Sequence, residues 1–494
     1  MKKYIKITSF LILIGAAAAS CSQDFLDVVP QGRQLAITTN DYDLLMNYRS
    51  FYYYEAGAAI QTPLWMGDEI SANGSDLNSN NILAQRLFRW DDVIYQPSDN
   101  SFSMNRDLTY GLANVYVCNK IINEVMTSKE GTDVQKRALR AEAMATRAFE
   151  IFLLTNIYTK PYVASTASTD LGFPVITTAD ATLKTFERGT VQQTYDFIIN
   201  DLIQAIADLP LQPTIRTRMS KPAAEGLLGK VYLFMGKSAE ALPYLNAAFN
   251  DLQASSIAPR LYDYNVEFAD GGSFLPIDSY SGPNAPGNNR NDLTESIVSK
   301  VCYNPFSGNG PGINGSTISD ETAALYSPSD LRLNMYSATY HYGDTNPYGR
   351  LRKYAAQYTR FGLELSELYL LRAECKVRQN DLPGAIQDVE TLRKNRMPAA
   401  DAAVPSNIAG NQVALIKFIL EERIREFANE GYRWFDMRRI SVDPNTQIAA
   451  TLKTTHTVYD DSNVPTVYTL RPERLTLRFP QTYMNANPGM QNNP

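Results

Sequence analysis

Glu421, Glu422 and Glu426 stand together on one predicted helix, and carboxylates so grouped can divide the work of proton donor and proton acceptor. The same residues read more simply as a helix edge or a packing network. Glu421 and Arg425 are four apart in the favourable order, an arrangement that supports a helix by about 0.2–0.5 kcal/mol. "GPGING" (310–315) satisfies G-x-G-x-x-G. That pattern cradles a dinucleotide only as the strand-to-helix turn of a βαβ unit, and here, with Pro311 inside it and helical sequence around it, it reads as a surface loop. The chain has no HExxH, G-x-S-x-G or Walker loop. Its four cysteines, Cys21, Cys118, Cys302 and Cys375, lack the short paired spacing of a zinc cluster, and only His341 and His456 could assist them. No metal, cofactor or catalytic group is expected. Cys118 and Cys375 fall in helical apolar patterns as small buried hydrophobes, and both histidines read as polar-loop residues without special duty.

What remains is chemistry for binding. The chain holds 30 Tyr against 20 Phe and 3 Trp, and tyrosine joins an apolar ring to a hydroxyl, which suits surfaces that meet sugars, peptides or proteins. Ligand sites combine such apolar surface with a few placed polar groups. Two irregular stretches supply the mixture. Residues 51–100 offer Trp65, Asp68, Asn81, Arg86 and Trp90; residues 254–360 offer Tyr280, Asn288, Arg290, Tyr303, Tyr340 and Tyr342. The second is rich in Gly, Pro, Asn and Ser, and long irregular segments in a compact protein tend to be working surfaces.

The elements that must carry these stretches are helical. Periodicity predicts helices over 41–50, 101–127, 133–158 and 190–210. In 225–249, Leu228, Gly229, Tyr232, Ala241, Leu245 and Ala248 follow the small/large rhythm of a tetratricopeptide repeat, with Gly236-Lys237 as the turn. A second unit spans 367–394, with Tyr369, Ala373, Ala385, Val389 and Leu392 in the corresponding places. The pairs at 101–158 and 133–210 read as degenerate units, the latter interrupted by a loop over 160–189. A short strand is expected over 297–302. The fold class is therefore mainly α: a tetratricopeptide-like helical repeat scaffold with irregular loop-rich insertions and a few short strands.

Residues 1–20 read as a signal peptide, with Lys2, Lys3 and Lys6, an apolar run from Phe10 to Ile14, and small residues before Cys21. The junction resembles a lipobox, with Ala18 where leucine is usual, so Cys21 is the expected lipidation site. Without the leader's three lysines the net charge goes from −6 to −9, and no basic block is present, which argues against nucleic-acid binding. At 44% apolar and 20% charged residues the chain is expected to fold rather than stay disordered.

"LIKFILEERIREFANEGYRWFDMRRI" (415–440) is similar to the signature helix of the SusD/RagB family, with its ILeERrrEla-EG-RwfDlrR pattern. "LTLRFPQTYMNANPGMQNNP" (475–494) resembles that family's Pro-Ile-Pro, Asn-Pro, Gln-Asn-Pro ending, and "CSQDFLDVVPQGR" (21–33) its Cys, Phe-Leu, Pro start. Arg478-Phe479 depart from the first Pro-Ile, and "QNNP" stands where the family runs on to Gly-Tyr. The resemblance implies an outer-membrane, cell-surface lipoprotein that captures a glycan and delivers it to a SusC-like TonB-dependent transporter. A peptide-capturing RagB-like member, or a lid or assembly subunit without ligand affinity, are the alternatives. It divides the chain into a lipoprotein signal peptide (1–20), an N-terminal helical region (21–253) with its insertion at 51–100, the ligand-face insertion (254–360) and the signature region (361–494). Within the signature, Phe418, Ile424 and Phe427 form the buried stripe, Gly431 ends the helix, and Trp434 and Phe435 are core anchors. Replacement of Cys21 by Ala is expected to move the protein out of the membrane fraction, and retention of that variant in membranes would remove the anchor.

Overall fold

Helix starts are written into the chain as reciprocal caps. Thr132 accepts from the Gln135 amide at 3.3 Å while the Gln135 side chain accepts from the Thr132 amide at 2.8 Å. Thr190 and Gln193 repeat the device at 3.1 and 2.8 Å. Each such cap contributes about 1 kcal/mol. In this computed structural model, residues 36–54, 61–79, 82–96, 105–183, 185–279, 281–303, 316–339, 345, 347–354 and 357–494 are described. The leader, Cys21, the 310–315 loop, Asn81, Tyr280, Tyr340, His341 and Tyr342 lie outside them.

The longer helices are α1 (Arg106–Glu124), α2 (Asp133–Tyr158), α3 (Val191–Asp208), α4 (Lys221–Phe234), α5 (Ser238–Gln253), α6 (Leu365–Arg378), α7 (Leu382–Lys394), α8 (Gln412–Phe427) and α9 (Tyr432–Ile440). They pack in sequence order, α1 on α2 through α6 on α7, and α8 lies on α6. The expected repeat residues Leu228, Ala241, Leu245, Ala248, Ala373, Ala385, Val389 and Leu392 are all fully buried. Gly229 lets α4 and α5 close, since a Cβ there would stand 2.6 Å from the Leu245 side chain. The turn between them needs Gly236, at φ +73°. Tyr232 is half-buried, stacked on Tyr244 at 5.8 Å, and Tyr369 meets Phe249 at 4.8 Å, which joins the two repeat units through α5 and α6. The expected helix over 41–50 is shorter, Thr39–Leu45 followed by a 3-10 turn at Arg49–Phe51.

The signature is two helices. Asn429 (φ +61°) and Gly431 (φ +87°) break the chain between α8 and α9, which turns Trp434, fully buried, and Phe435 into the core as expected. The tail is stitched by its asparagines: Asn493 donates to the carbonyls of Tyr158 and Leu477 at 2.8 and 2.6 Å, and Asn492 accepts from the Phe479 amide at 2.8 Å. Phe479, at the departure from the family's ending, stacks on Tyr158 at 4.8 Å.

Among the described residues, four small sheets decorate the helices. One orders β11 (Pro465–Thr469), β10 (Thr455–Tyr459), β2 (Ile70–Asn73) and β5 (Ser316–Ile318). Another joins β1 (Tyr53–Tyr54), β4 (Val301–Tyr303) and β8 (Tyr358–Arg360). Two pairs, β3 (Ser296–Val298) with β9 (Leu363–Glu364) and β6 (Tyr336–Ser337) with β7 (Arg352–Lys353), complete them.

Trp65, Asp68, Arg86 and Trp90 of the first insertion are buried, and this corrects their reading as ligand contacts. Because β2 is central in its sheet and buried along its length, its flanks are drawn inward. Trp65 and Trp90 belong to the main apolar cluster. Trp90 stacks on His456 at 3.8 Å and donates from Nε1 to the Met66 carbonyl at 3.1 Å. Asp68 receives both Nε and Nη2 of Arg433, at 2.5 and 3.0 Å. Arg86 is buried and donates to the Ile94 carbonyl at 2.9 Å. His456 is corrected too: it is fully buried on β10, and burial pushes its pKa down to about 4 although the carbonyls of Phe88 and Gly67 oppose the shift.

Glu422 and Glu426 form a packing network, as the simpler reading of them holds. Glu422 has no solvent exposure and lies 2.8, 2.7 and 2.7 Å from Arg332, Arg393 and Arg425. Burial alone would raise its pKa, but these three guanidiniums overcome it and hold it at about 2. Glu426 meets Arg396 at 2.8 Å and Arg332 at 3.0 Å. Arg423 and Arg439 share Asp436 at 2.7 and 2.9 Å, and Arg439 also meets Glu374 at 2.7 Å. Replacing Glu422 by Ala leaves buried guanidiniums without their counter-charge and is expected to cost about 3–5 kcal/mol in a urea titration. With a folded pKa near 2 against about 4.3 unfolded, the carboxylate's contribution is full above about pH 4.3 and lost as pH falls toward 2. Glu422→Gln should therefore flatten the acid limb of the stability profile.

Candidate functional site

Pairing across β1, β4 and β8 decides which tyrosines meet. Tyr53 lies opposite Val301, and Tyr303 opposite Tyr358. Side chains alternate along a strand, so Tyr54, Cys302 and Thr359 face the core and are buried, while Tyr53, Tyr303 and Tyr358 share the outer face and are half-buried. Their rings form an offset stack, with centroids 6.1 and 5.6 Å apart, and the Arg49 guanidinium sits 4.4 Å over Tyr53. The result is one column of Arg49, Tyr53, Tyr303 and Tyr358.

Polar groups anchor this sheet from beneath. The Tyr54 hydroxyl donates to Glu150, which also takes Asn114 Nδ2 at 3.0 Å. Burial raises the Glu150 pKa to about 7, against the Tyr54 hydrogen bond and the Lys300 charge. Lys300, itself buried, donates to the Phe51 carbonyl just before β1.

Beside the column runs a groove of about 640 Å³ lined by Asn47, Arg49, Tyr52, Tyr53, Arg290 and Asn291 among others, a volume in the range of small-molecule clefts. One wall is the loop over 286–292. Arg360, on β8, fixes it by donating to the carbonyls of Pro286, Asn289 and Asp292 at 2.6, 2.7 and 2.6 Å. Asn288 gives its amide to the carbonyls of Ser281 and Pro283 at 2.8 and 2.9 Å. It braces the loop from within, which corrects its place among the ligand contacts. Arg290 and Asn291, on the same loop, are exposed along the groove.

Behind Tyr358 lies a second, smaller cavity of about 110 Å³, crowded with Arg332, Lys353, Arg360, Glu364, Glu426 and Glu430. Burial raises the Glu364 pKa to about 8, with Arg360 and the Ser296 hydroxyl opposing. Ser296 Oγ stands 2.8 and 2.9 Å from the two carboxyl oxygens. Among the described residues no group of His, Cys, Asp and Glu could hold a metal ion, and no helix is long and apolar enough to cross a membrane.

Of the eleven expected ligand residues, the structure brings Tyr303 and Arg290 to this face. Trp65, Asp68, Arg86 and Trp90 are internal. Arg49, Tyr53 and Tyr358 were not expected. The only signal for Tyr53 is the aromatic run Phe51 to Tyr54, in which Phe51 and Tyr54 are buried and Tyr52 and Tyr53 are not.

Two family matches accompany this geometry. Residues 24–233 match a SusD-like family described as "Starch-binding associating with outer membrane", and residues 309–494 match the SusD family, also named for RagB. The chain belongs to the SusD/RagB family. A curated SusD-like protein of Formosa agariphila is 25% identical over 345 residues, 62% of this chain, and the match spans 65% of that relative's length. Solved SusD superfamily proteins share the fold: one from Bacteroides vulgatus at a TM-score of 0.66 and 19% identity, covering 93% of this chain and 99% of that one; and one from Bacteroides fragilis at 0.67 and 17%, covering 92% and 99%. Identities this low speak to the fold alone. Within this SusD/RagB chain, Arg360→Ala should loosen the groove wall without unfolding the scaffold. Loss of its charged hydrogen bonds, about 1.5–3 kcal/mol each, is expected to raise amide exchange over 286–293 at least about tenfold while α4 and α5 are unchanged.

Proposed function

We propose that this protein is a cell-surface, lipid-anchored binding protein of the outer membrane that captures a glycan in the groove beside the tyrosine column and passes it to a SusC-like TonB-dependent transporter. The observation that carries the reading is the column of exposed Arg49 and half-buried Tyr53, Tyr303 and Tyr358, whose Arg49 and Tyr53 line a groove of about 640 Å³. Tyrosine rings offer apolar surface to sugar C–H groups and hydroxyls to sugar oxygens, while Arg290, Asn47 and Asn291 supply planar polar groups. Family membership and the description of the N-terminal match support the outer-membrane setting and the glycan class. The buried acids of the signature are locked in ion pairs, which suits a scaffold that displays a site. Cys21, in its lipobox-like context, is the proposed point of attachment, and delivery to a transporter requires no bond to be made or broken.

Tyr303→Ala and Tyr53→Ala should each weaken oligosaccharide binding in calorimetry at least about tenfold, equivalent to ~1.4 kcal/mol. Trp65→Phe, an internal change, should leave affinity unaltered. Unchanged affinity in both tyrosine variants, or binding of short peptides with no glycan bound, would overturn the reading.

A further inference from the structure

The groove is assembled from four separate stretches of chain. Residues 47–53 bring Tyr52 and Tyr53, the connection between α3 and α4 brings Ile215 and Thr217, Leu293 follows the loop that Arg360 fixes, and Ser299 and Val301 lead into β4. Hydrogen bonds join each stretch to the next. The Val301 amide donates to the Tyr52 carbonyl at 2.9 Å, the Ser299 amide to the Arg216 carbonyl at 2.6 Å, and Nη2 of Arg216 to the Leu293 carbonyl at 2.5 Å. Arg216 takes part in two of these three joints. It lies between Ile215 and Thr217 in the chain, yet it is not itself a lining residue.

Its other arm fastens the same connection from behind. Nη1 donates to the Ile257 carbonyl, next to Ser256, whose amide and hydroxyl reach Gln212 Oε1 at 3.2 and 2.7 Å. Both arms thus end on carbonyls. Burial lowers the pKa of Arg216, with the charges of Glu364 and Asp292 opposing. A guanidinium is a rigid planar fork, so two carbonyls of different segments held by its two arms are spaced by the fork itself. While both arms are bonded, the walls at 215–217 and 290–293 keep their separation, and less ordering is left for a ligand to bring about.

We propose that Arg216 is the positioning residue of the groove, setting the separation of the walls that meet the ligand. This rests on the glycan reading of the groove and adds to it the residue on which the shape of the site depends.

Amide exchange on the full chain tests the grip without a ligand. In Arg216→Ala and Arg216→Lys, exchange over 214–218, over 290–294 and at Ser299 is expected to rise at least about tenfold, while α4 and α6 exchange as in the parent. Calorimetry with maltohexaose, cellohexaose and xylohexaose tests the consequence. A hexasaccharide bound by the parent should bind each variant at least about fivefold more weakly, with thermal melts confirming that both variants are folded. Lysine separates positioning from charge, since it keeps the positive charge but offers a single ammonium in place of the fork. Unchanged exchange at these sites, or parental affinity in the Arg216→Lys variant, overturns the positioning role and leaves the glycan reading standing. Raised exchange in a protein whose parent binds short peptides and none of the three hexasaccharides upholds the positioning role and overturns the glycan reading.

Discussion

Glu422 and Glu426 can sit in the interior only because guanidiniums from other parts of the chain surround them. A buried carboxylate loses several kcal/mol of hydration, and the loss is recovered only in good ion-pair geometry with the remaining hydrogen bonds made. Three of the partners, Arg332, Arg393 and Arg396, come from outside the signature helices, and that couples the ion pairs to the rest of the molecule. Arg332 reaches in from the second insertion to both acids. Arg396, fully buried, joins Glu426 to Glu295 at 2.9 Å and to the Tyr262 carbonyl at 2.8 Å, so it too ties the insertion to α8. The acids of the motif therefore do two things: they hold the helices together, and they fix the segment from which Arg290 and Tyr303 project. The salt pairs and the groove belong to one mechanical unit.

Much of the scaffold was legible because its rules are local. Apolar periodicity marks the helices over 133–158 and 190–210 from neighbouring residues alone, and the alternation of small and large residues at Gly229, Ala241 and Leu245 describes a helix pair without reference to the rest of the chain. The asparagine-rich ending was legible only as a resemblance. Its physical meaning is that asparagine amides reach loose carbonyls at the end of α2 and beside Leu477.

The candidate site was harder to read because it depends on pairing between distant segments. Trp65 and Trp90 sit in sequence that looks like loop, yet β2 is inserted between β10 and β5 and carries its surroundings inward. Irregular sequence does not distinguish coil packed inside from coil left outside. His456 was misread for the same reason: nothing near it in sequence indicates that Phe88 and Trp90 will stack on it, at 4.4 and 3.8 Å. Arg290 and Tyr303 were found by residue type, whereas Arg49, Tyr53 and Tyr358 become a site only through strand register. Fold membership itself would not have supplied them, since sites vary on a shared scaffold.

The three strands beneath the column come from residues 53–54, 301–303 and 358–360, so no short fragment of the chain contains the surface they make. Ligand affinity is then a property of the completed protein and must act back upon it. A ligand held only by the native state, present at about 100 times its dissociation constant, would add roughly 2.7 kcal/mol to the resistance of the entire chain to unfolding. An occupied receptor of this design is harder to denature and to proteolyse than an empty one.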